Sequence, residues 1–316
     1  MSKTNLGLIV LFFAQLALVA FAWWPRSSGI TEATPFIGIM KGDIDKVVIV
    51  GTTGEEEQRD PVELQKKGGA WVIASAGDYP ADETKVDELL GNLTELKIRK
   101  PVATQTTSHP ALKVADNEFG KKLDVSGGGK DVSFFLGAAA ANTVHLRRVG
   151  ANEVYSSRGI SEWSIRDVPN SYVDTTYIDI DKDTIDSVIV QNTNGRFSFV
   201  KEGGVWSLDT LTEEDEFNAD EMKTLLGKVA KIRLRTPIGE PLPAHGLDTG
   251  ISVTFTFTQD EQTEASGFII GNQTDDGYYV QANNNPYVVE VSTYSVKKLV
   301  EMEAADFIAE PEEEEE

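Results

Sequence analysis

The sequence predicts an α+β fold: a mostly antiparallel, β-rich module with one central amphipathic helix and a short closing helix. That module occurs twice in tandem, behind an N-terminal transmembrane helix. Three observations predict this. Residues 66–101 are restated at 201–237, where Gly68-Gly69-Ala70-Trp71 answers Gly203-Gly204-Val205-Trp206. Leu89-Leu90-Gly91 likewise answers Leu225-Leu226-Gly227, and Pro101 answers Pro237, at spacings of 135 or 136 residues. In each copy, short β-branched runs punctuated by glycine flank a single stretch of three- and four-residue apolar periodicity. Residues 6–24 form one apolar run broken only by Gln15.

That run is long enough, at about 28 Å as a helix, to match a hydrocarbon layer of about 30 Å. Leu6, Phe12, Phe13 and Leu16 are its apolar body, and Trp23 and Trp24 sit where indole rings favour the membrane interface. The bilayer is therefore an expected partner, through residues 1–26. Ala20-Phe21-Ala22 also has the small-x-small spacing of a signal-peptide cleavage site. Against cleavage stand a weakly basic N-terminus, with Lys3 as its one cation, and the length of the apolar run. A short N-terminal tail ahead of a long globular region is the form of a signal anchor. The expected location is thus a single pass through the inner membrane, with the globular part periplasmic. Residues 27–42, rich in Gly, Ser and Pro, read as a stalk.

The first module is read at 43–175 and the second at 176–306. Residues 44–50 and 185–190 are matching β-branched strands (IDKVVIV and IDSVIV), each followed by a second strand, a Gly-Gly hairpin turn and a third strand carrying a tryptophan. Asp82 and Asn218 then suit helix N-caps. Val86, Leu89, Leu90, Leu93 and Leu96 make one apolar stripe, and Met222, Leu225, Leu226, Val229 and Ile232 its counterpart. Trp71 with Leu89 and Leu93, and Trp206 with Leu225 and Val229, are the expected repeat core. Truncating either tryptophan is expected to cost about 3–5 kcal/mol. The other role for the pair is a sugar-stacking platform. Lys97, Arg99 and Lys100, against Lys228, Lys231 and Arg233, are read as favourable charges at the helix C-termini.

The later half of each module reads as strands, at 122–125, 132–137, 144–147 and 153–156, then at 252–258, 267–271, 277–281 and 287–291. Short closing helices are read near 161–166 and 295–305. Residues 307–316 read as an acidic disordered tail, and Glu310 with Glu312, Glu313, Glu314, Glu315 and Glu316 supplies six of its charges.

Charge and composition exclude several functions. A net charge of −22 opposes binding to nucleic acid, whose phosphates need clustered Lys and Arg. With no cysteine, there are no disulfides, thiol nucleophiles or thiolate metal sites. His109 and His245 lie 136 residues apart, but nothing nearby supplies a third metal ligand at usual spacing, so both read as loop histidines. Asp179, Asp181 and Asp183 open a calcium-type spacing that fails at Thr184 and Val190. Gly129-Lys130 lacks the remainder of a P-loop, and Gly159-Ile160-Ser161-Glu162-Trp163 lacks the second glycine of a nucleophile elbow. Two short glycosylation matches, at Asn92 and Asn272, carry little weight. No catalytic residue, metal site or cofactor is expected.

One resemblance adds a setting. His245-Gly246-Leu247-Asp248, Ile270-Gly271, Gly277-Tyr278-Tyr279-Val280 and the linking Tyr177-Ile178-Asp179-Ile180-Asp181 complete the pattern begun by the repeated G-G-x-W. With the N-terminal anchor, the chain resembles an uncharacterised bacterial family of membrane-anchored repeat proteins. Its members are often encoded beside gliding-motility-type ABC transporters and their auxiliary subunits. The likeness covers nearly the whole chain, although Ser108-His109-Pro110-Ala111-Leu112 departs from it in the first copy. It implies a non-enzymatic accessory or scaffold protein with a membrane-protein partner. The alternative expectation is an envelope carbohydrate-binding protein or hydrolase, with Glu213, Glu214 and Glu216 lining an acidic cleft.

Overall fold

In Ile44–Gly51 the buried side chains recur on one face, Val47 and Ile49 among them, and this alternation sets the first sheet. The computed structural model describes residues 14–15, 32–52, 57–139, 142–212 and 214–309. The chain divides at Thr34, and the unit from Pro35 onward holds the fold described below. Leu6, Phe12, Phe13, Leu16, Trp23 and Trp24 lie outside the described residues; Ala14 and Gln15 are helical. Among the described residues, no helix is long and apolar enough to cross a membrane.

The first module contains β1 (Ile44–Gly51), β2 (Val62–Lys67), β3 (Ala70–Ile73), β4 (Tyr79–Pro80) and α1 (Glu83–Thr94). Four further strands follow: β5 (Lys121–Gly127), β6 (Lys130–Ala138), β7 (Thr143–Arg148) and β8 (Val154–Arg158). They form one eight-stranded antiparallel sheet in the order β8-β7-β6-β5-β1-β2-β3-β4. The second module begins with β9 (Thr176–Asp179), β10 (Ile185–Asn192), β11 (Gly195–Glu202), β12 (Val205–Leu208) and α2 (Ala219–Ala230). After it come β13 (Lys231–Arg233), β14 (Thr236–Gly239), β15 (Ile251–Gln259), β16 (Gln262–Gln273), β17 (Gly277–Ala282), β18 (Val288–Ser292) and α3 (Thr293–Glu301). Its sheet is also eight-stranded, in the order β12-β11-β10-β15-β16-β17-β18-β14, while β9 and β13 pair separately. The mostly antiparallel α+β reading therefore holds.

The helix caps are where the sequence places them. The Asp82 carboxylate accepts the N–H groups of Thr84 and Lys85, and Asn218 does the same for Asp220 and Glu221. Both helices stop sooner than the apolar stripes imply. Leu96 and Ile232 fall beyond them, yet both are buried, Ile232 as part of β13. Of the six basic residues assigned to helix C-termini, only Lys228 lies in a last turn. The closing helix is present in the second module as α3, but in the first it is reduced to 3-10 turns at Glu162–Ser164 and Pro169–Tyr172.

Two boundaries shift because apolar side chains beside polar ones are used by the core. Phe36, Ile37 and Ile39, assigned to the stalk, are buried in the first module, and Phe36 packs edge-on against Phe134 at 5.2 Å. Phe307, assigned to the tail, is fully buried against Phe199 at 4.7 Å. Residues 307–309 are pinned to 216–218 through Asn218 N–H to Phe307 O and Ala309 N–H to Glu216 O. The first module has the same device, with Asp82 N–H donating to the carbonyl of buried Tyr172.

The two sheets meet at unlike edges, β4 of the first and β14 of the second. Gly77 and Gly239 make the approach. Gly239 has φ +114°, and a Cβ there would lie 2.7 Å from both the Ala76 carbonyl oxygen and Gly77 Cα. Only glycine fits that backbone-to-backbone contact. Beside it, Tyr79 and Tyr287 touch with ring centroids 5.3 Å apart, and Asn170 Nδ2 donates to Arg235 O. One continuous cluster of buried apolar residues runs through both modules.

Candidate functional site

The repeated core residues do not all reach the same environment. Leu89, Leu93, Leu225 and Val229 are buried on the sheet-facing sides of α1 and α2. Trp71 is 9% exposed and packs beside α1, sharing a cleft wall with Thr84, Asp87 and Leu90. Trp206 is half-buried, with Lys201 Nζ 5.9 Å from its ring centroid. Both tryptophans sit opposite a lysine in the register, Lys66 and Lys201 respectively.

The histidines are structural neighbours of their own loops. The His245 ring is buried, stacks on Tyr279 at 4.5 Å and accepts the Leu242 N–H at Nδ1. Burial lowers its pKa below the ordinary histidine value. His109 Nε2 lies 3.0 Å from Asn152 O. Each loop crosses a strand at a glycine, where a Cβ on Gly137 would lie 2.1 Å from Leu112 O and one on Gly271 2.1 Å from His245 O. Arg147 also holds the first loop, donating to Val114 O and Ala151 O and lying 4.6 Å from the Phe135 ring centroid.

Acidic constellations are dispersed. Asp181 accepts the Asp183 N–H, and Asp179 meets Lys231 at 3.3 Å. Glu214 and Glu216 are exposed on a loop in which Asp215 accepts two hydrogen bonds from Thr212; Glu213 lies outside the described residues. Among the described residues, no group of three or more His, Asp or Glu could hold a metal ion.

Three clefts remain. The seam between modules encloses about 490 Å³, lined by Tyr79, Asp82, Asp174, Tyr177, Asn284 and Tyr287 among others. Here Tyr177 donates to Tyr287 O and accepts the Ala282 N–H, and burial pushes its pKa up to about 12. Burial also raises Tyr79, reinforced by Tyr177 and Asp174. These phenols stay protonated across ordinary pH and act as fixed hydrogen-bonding walls.

The second cleft, about 560 Å³, lies between α1 and the segment joining the modules. Lys85, Glu88, Ser161, Ser164, Arg166 and Trp163 line it. Trp163 is 72% exposed. Arg166 is exposed, and its guanidinium has no hydrogen-bond or ion-pair partner among the described residues. The third cleft, about 440 Å³, lies between α2 and α3, with Lys228, Tyr294, Lys297, Glu301 and Asp306 in its wall. Tyr294 is 81% exposed, and Lys228 Nζ sits 3.6 Å from its ring centroid.

These two clefts are one feature repeated. Ser161-Glu162-Trp163-Ser164-Ile165 corresponds to Ser292-Thr293-Tyr294-Ser295-Val296, 131 residues later. In both, the outer serines touch through their hydroxyls, at 3.0 and 2.9 Å. The central helix donates a side-chain hydrogen bond to each segment, from Asn92 to Ser164 O and from Lys228 to Tyr294 O. A search at the 135- or 136-residue spacing of the G-G-x-W pair misses this match. The shared serine–aromatic–serine pattern is the sequence signal that finds it.

Residues 71–250 match the sequence profile of a family described as Domain of unknown function (DUF4340). No curated protein and no solved structure matches the chain.

Proposed function

We propose, for a chain that belongs to the DUF4340 family, a non-enzymatic accessory or scaffold role beside a gliding-type ABC transporter. In this reading the apolar run 6–24 anchors the chain in the inner membrane, and the two modules stand on the extracytoplasmic side. The observation that carries it is the seam. Gly77 against Gly239, Tyr79 against Tyr287 and a shared buried cluster join the modules into one unit with broad outer surfaces. Such a body suits holding partners at fixed separation. The family resemblance supplies the transporter, and the acidity of the chain keeps the body from anionic lipid headgroups. Copurification from membranes in a mild detergent is expected to recover transporter subunits in stable ratio with the chain. Recovery of the chain alone at native expression, with the transporter intact in the same extract, would overturn the assignment.

A further inference from the structure

We propose that each module carries one copy of a binding cleft for an acidic saccharide of the uronate type, built around Trp163 in the first and Tyr294 in the second. The inference does not depend on the scaffold role. It begins from two large aromatics that are more exposed than any other ring named above and occupy matching places in the duplicated module. Around each stand cations: Lys85 and Arg166 in the first cleft, Lys228 and Lys297 in the second. On a chain of net charge −22, cations beside an aromatic at both equivalent positions mark a local preference for an anion.

The remaining lining selects the class of anion. Ser161, Ser164 and Glu88 in one cleft, and Glu301 and Asp306 in the other, are hydroxyl partners. A uronate residue presents all three complements: a C–H face for the ring, a carboxylate for the cations and hydroxyls for the serines and acids. An apolar chain would leave the charged groups unpaired, and a polyphosphate would meet the acids in each wall. Arg166 is the better carboxylate clamp, because its planar fork is unengaged. Lys85 already donates to Val173 O and keeps two donors for a ligand. In the second cleft Lys298 is already committed: burial pulls its pKa down, but Glu221 and Asp306 outweigh that and hold it above the ordinary lysine value. Lys228 and Lys297 are therefore the anion partners there, Lys297 having only a 3.8 Å pairing with Glu301 to give up.

Calorimetric titration of the full chain, in neutral detergent, with tetragalacturonate tests this. The expected result is two sites per chain, with the neutral maltotetraose at least about tenfold weaker. Trp163→Ala and Tyr294→Ala should each leave one site, and the double variant none. Arg166→Gln should weaken the first site by about tenfold. The substituted aromatics are exposed, so thermal melts of the variants should superpose on the parent and separate lost binding from lost folding. Absence of binding, equal affinity for the neutral oligomer or variants that bind like the parent would overturn the proposal. So would a single site insensitive to Tyr294→Ala. If a polyglutamate peptide bound as tightly, with the same dependence on Trp163, the clefts would be reading an acidic peptide and the saccharide assignment would fall. Partition of the chain onto anionic vesicles through Trp163, without saccharide binding, would likewise replace it.

Discussion

His245 shows how one side chain can make a loop sensitive to pH. Its Nδ1 accepts the Leu242 N–H, which only the neutral ring can do. Burial holds the folded-state pKa below 6.5, so the unfolded chain binds the proton more readily. Stability from this residue is complete above pH 6.5 and falls as the pH drops below it. The melting temperature should therefore decrease between pH 7.5 and pH 5.5, and His245→Asn, which keeps an acceptor, should flatten that decrease. An unchanged slope in the variant would assign the effect elsewhere. At the same scale, Trp71→Ala should cost about 3–5 kcal/mol, because the ring is buried against α1. Half-buried Trp206 should cost clearly less when truncated, and chemical denaturation of the two variants compares them directly. The sequence reads the two rings as equivalent because their backbone positions are. What differs is the cover each receives, which depends on chain far from either tryptophan.

Elements with strong local signals were legible, and those made by tertiary contact were not. The glycine-flanked hairpins, the Asp82 and Asn218 caps and the strands β5 to β8 all follow from alternation, turn residues and capping chemistry within a few residues. β4 is two residues long and contains a proline, so nothing local marks it as an edge strand. β14 is a strand only because it pairs with β18, about fifty residues later. Its counterpart in the first copy is reduced to a bridge between Ala103 and Val154. The seam built from β4 and β14 was accordingly invisible, although both its glycines stand in the sequence. Gly239→Val should expose its importance. The branched side chain meets backbone at 2.7 Å in a left-handed conformation, a cost of about 1–3 kcal/mol from overpacking alone. A chain of this size should lose about 2–4 °C of melting temperature per kcal/mol. A variant melting like the parent would show that the modules do not lean on this contact.

At the scale of the whole molecule, duplication and the apolar N-terminal run were the most legible features, and partner identity the least. A partner is recognised by surface side chains, and surface carries little periodicity for a sequence to display. The anchor reading makes one direct claim: intact-mass measurement of membrane-extracted chain should find residues 1–26 retained. A mature N-terminus at Trp23 would mean that the run is a cleaved signal instead. The seam has a further consequence in terms of symmetry. It joins unlike surfaces of two like copies, so it is heterologous, the β4 edge of one against the β14 edge of the other. The outward ends of the pair are then unlike as well. One is the β8 edge, where Val102 bonds to Val154 and is 55% exposed; the other is β12, where Val205 is 73% exposed. A twofold dimer would offer both neighbours the same face. This fused pair has a head and a tail, so two different proteins could be seated on it in a defined order.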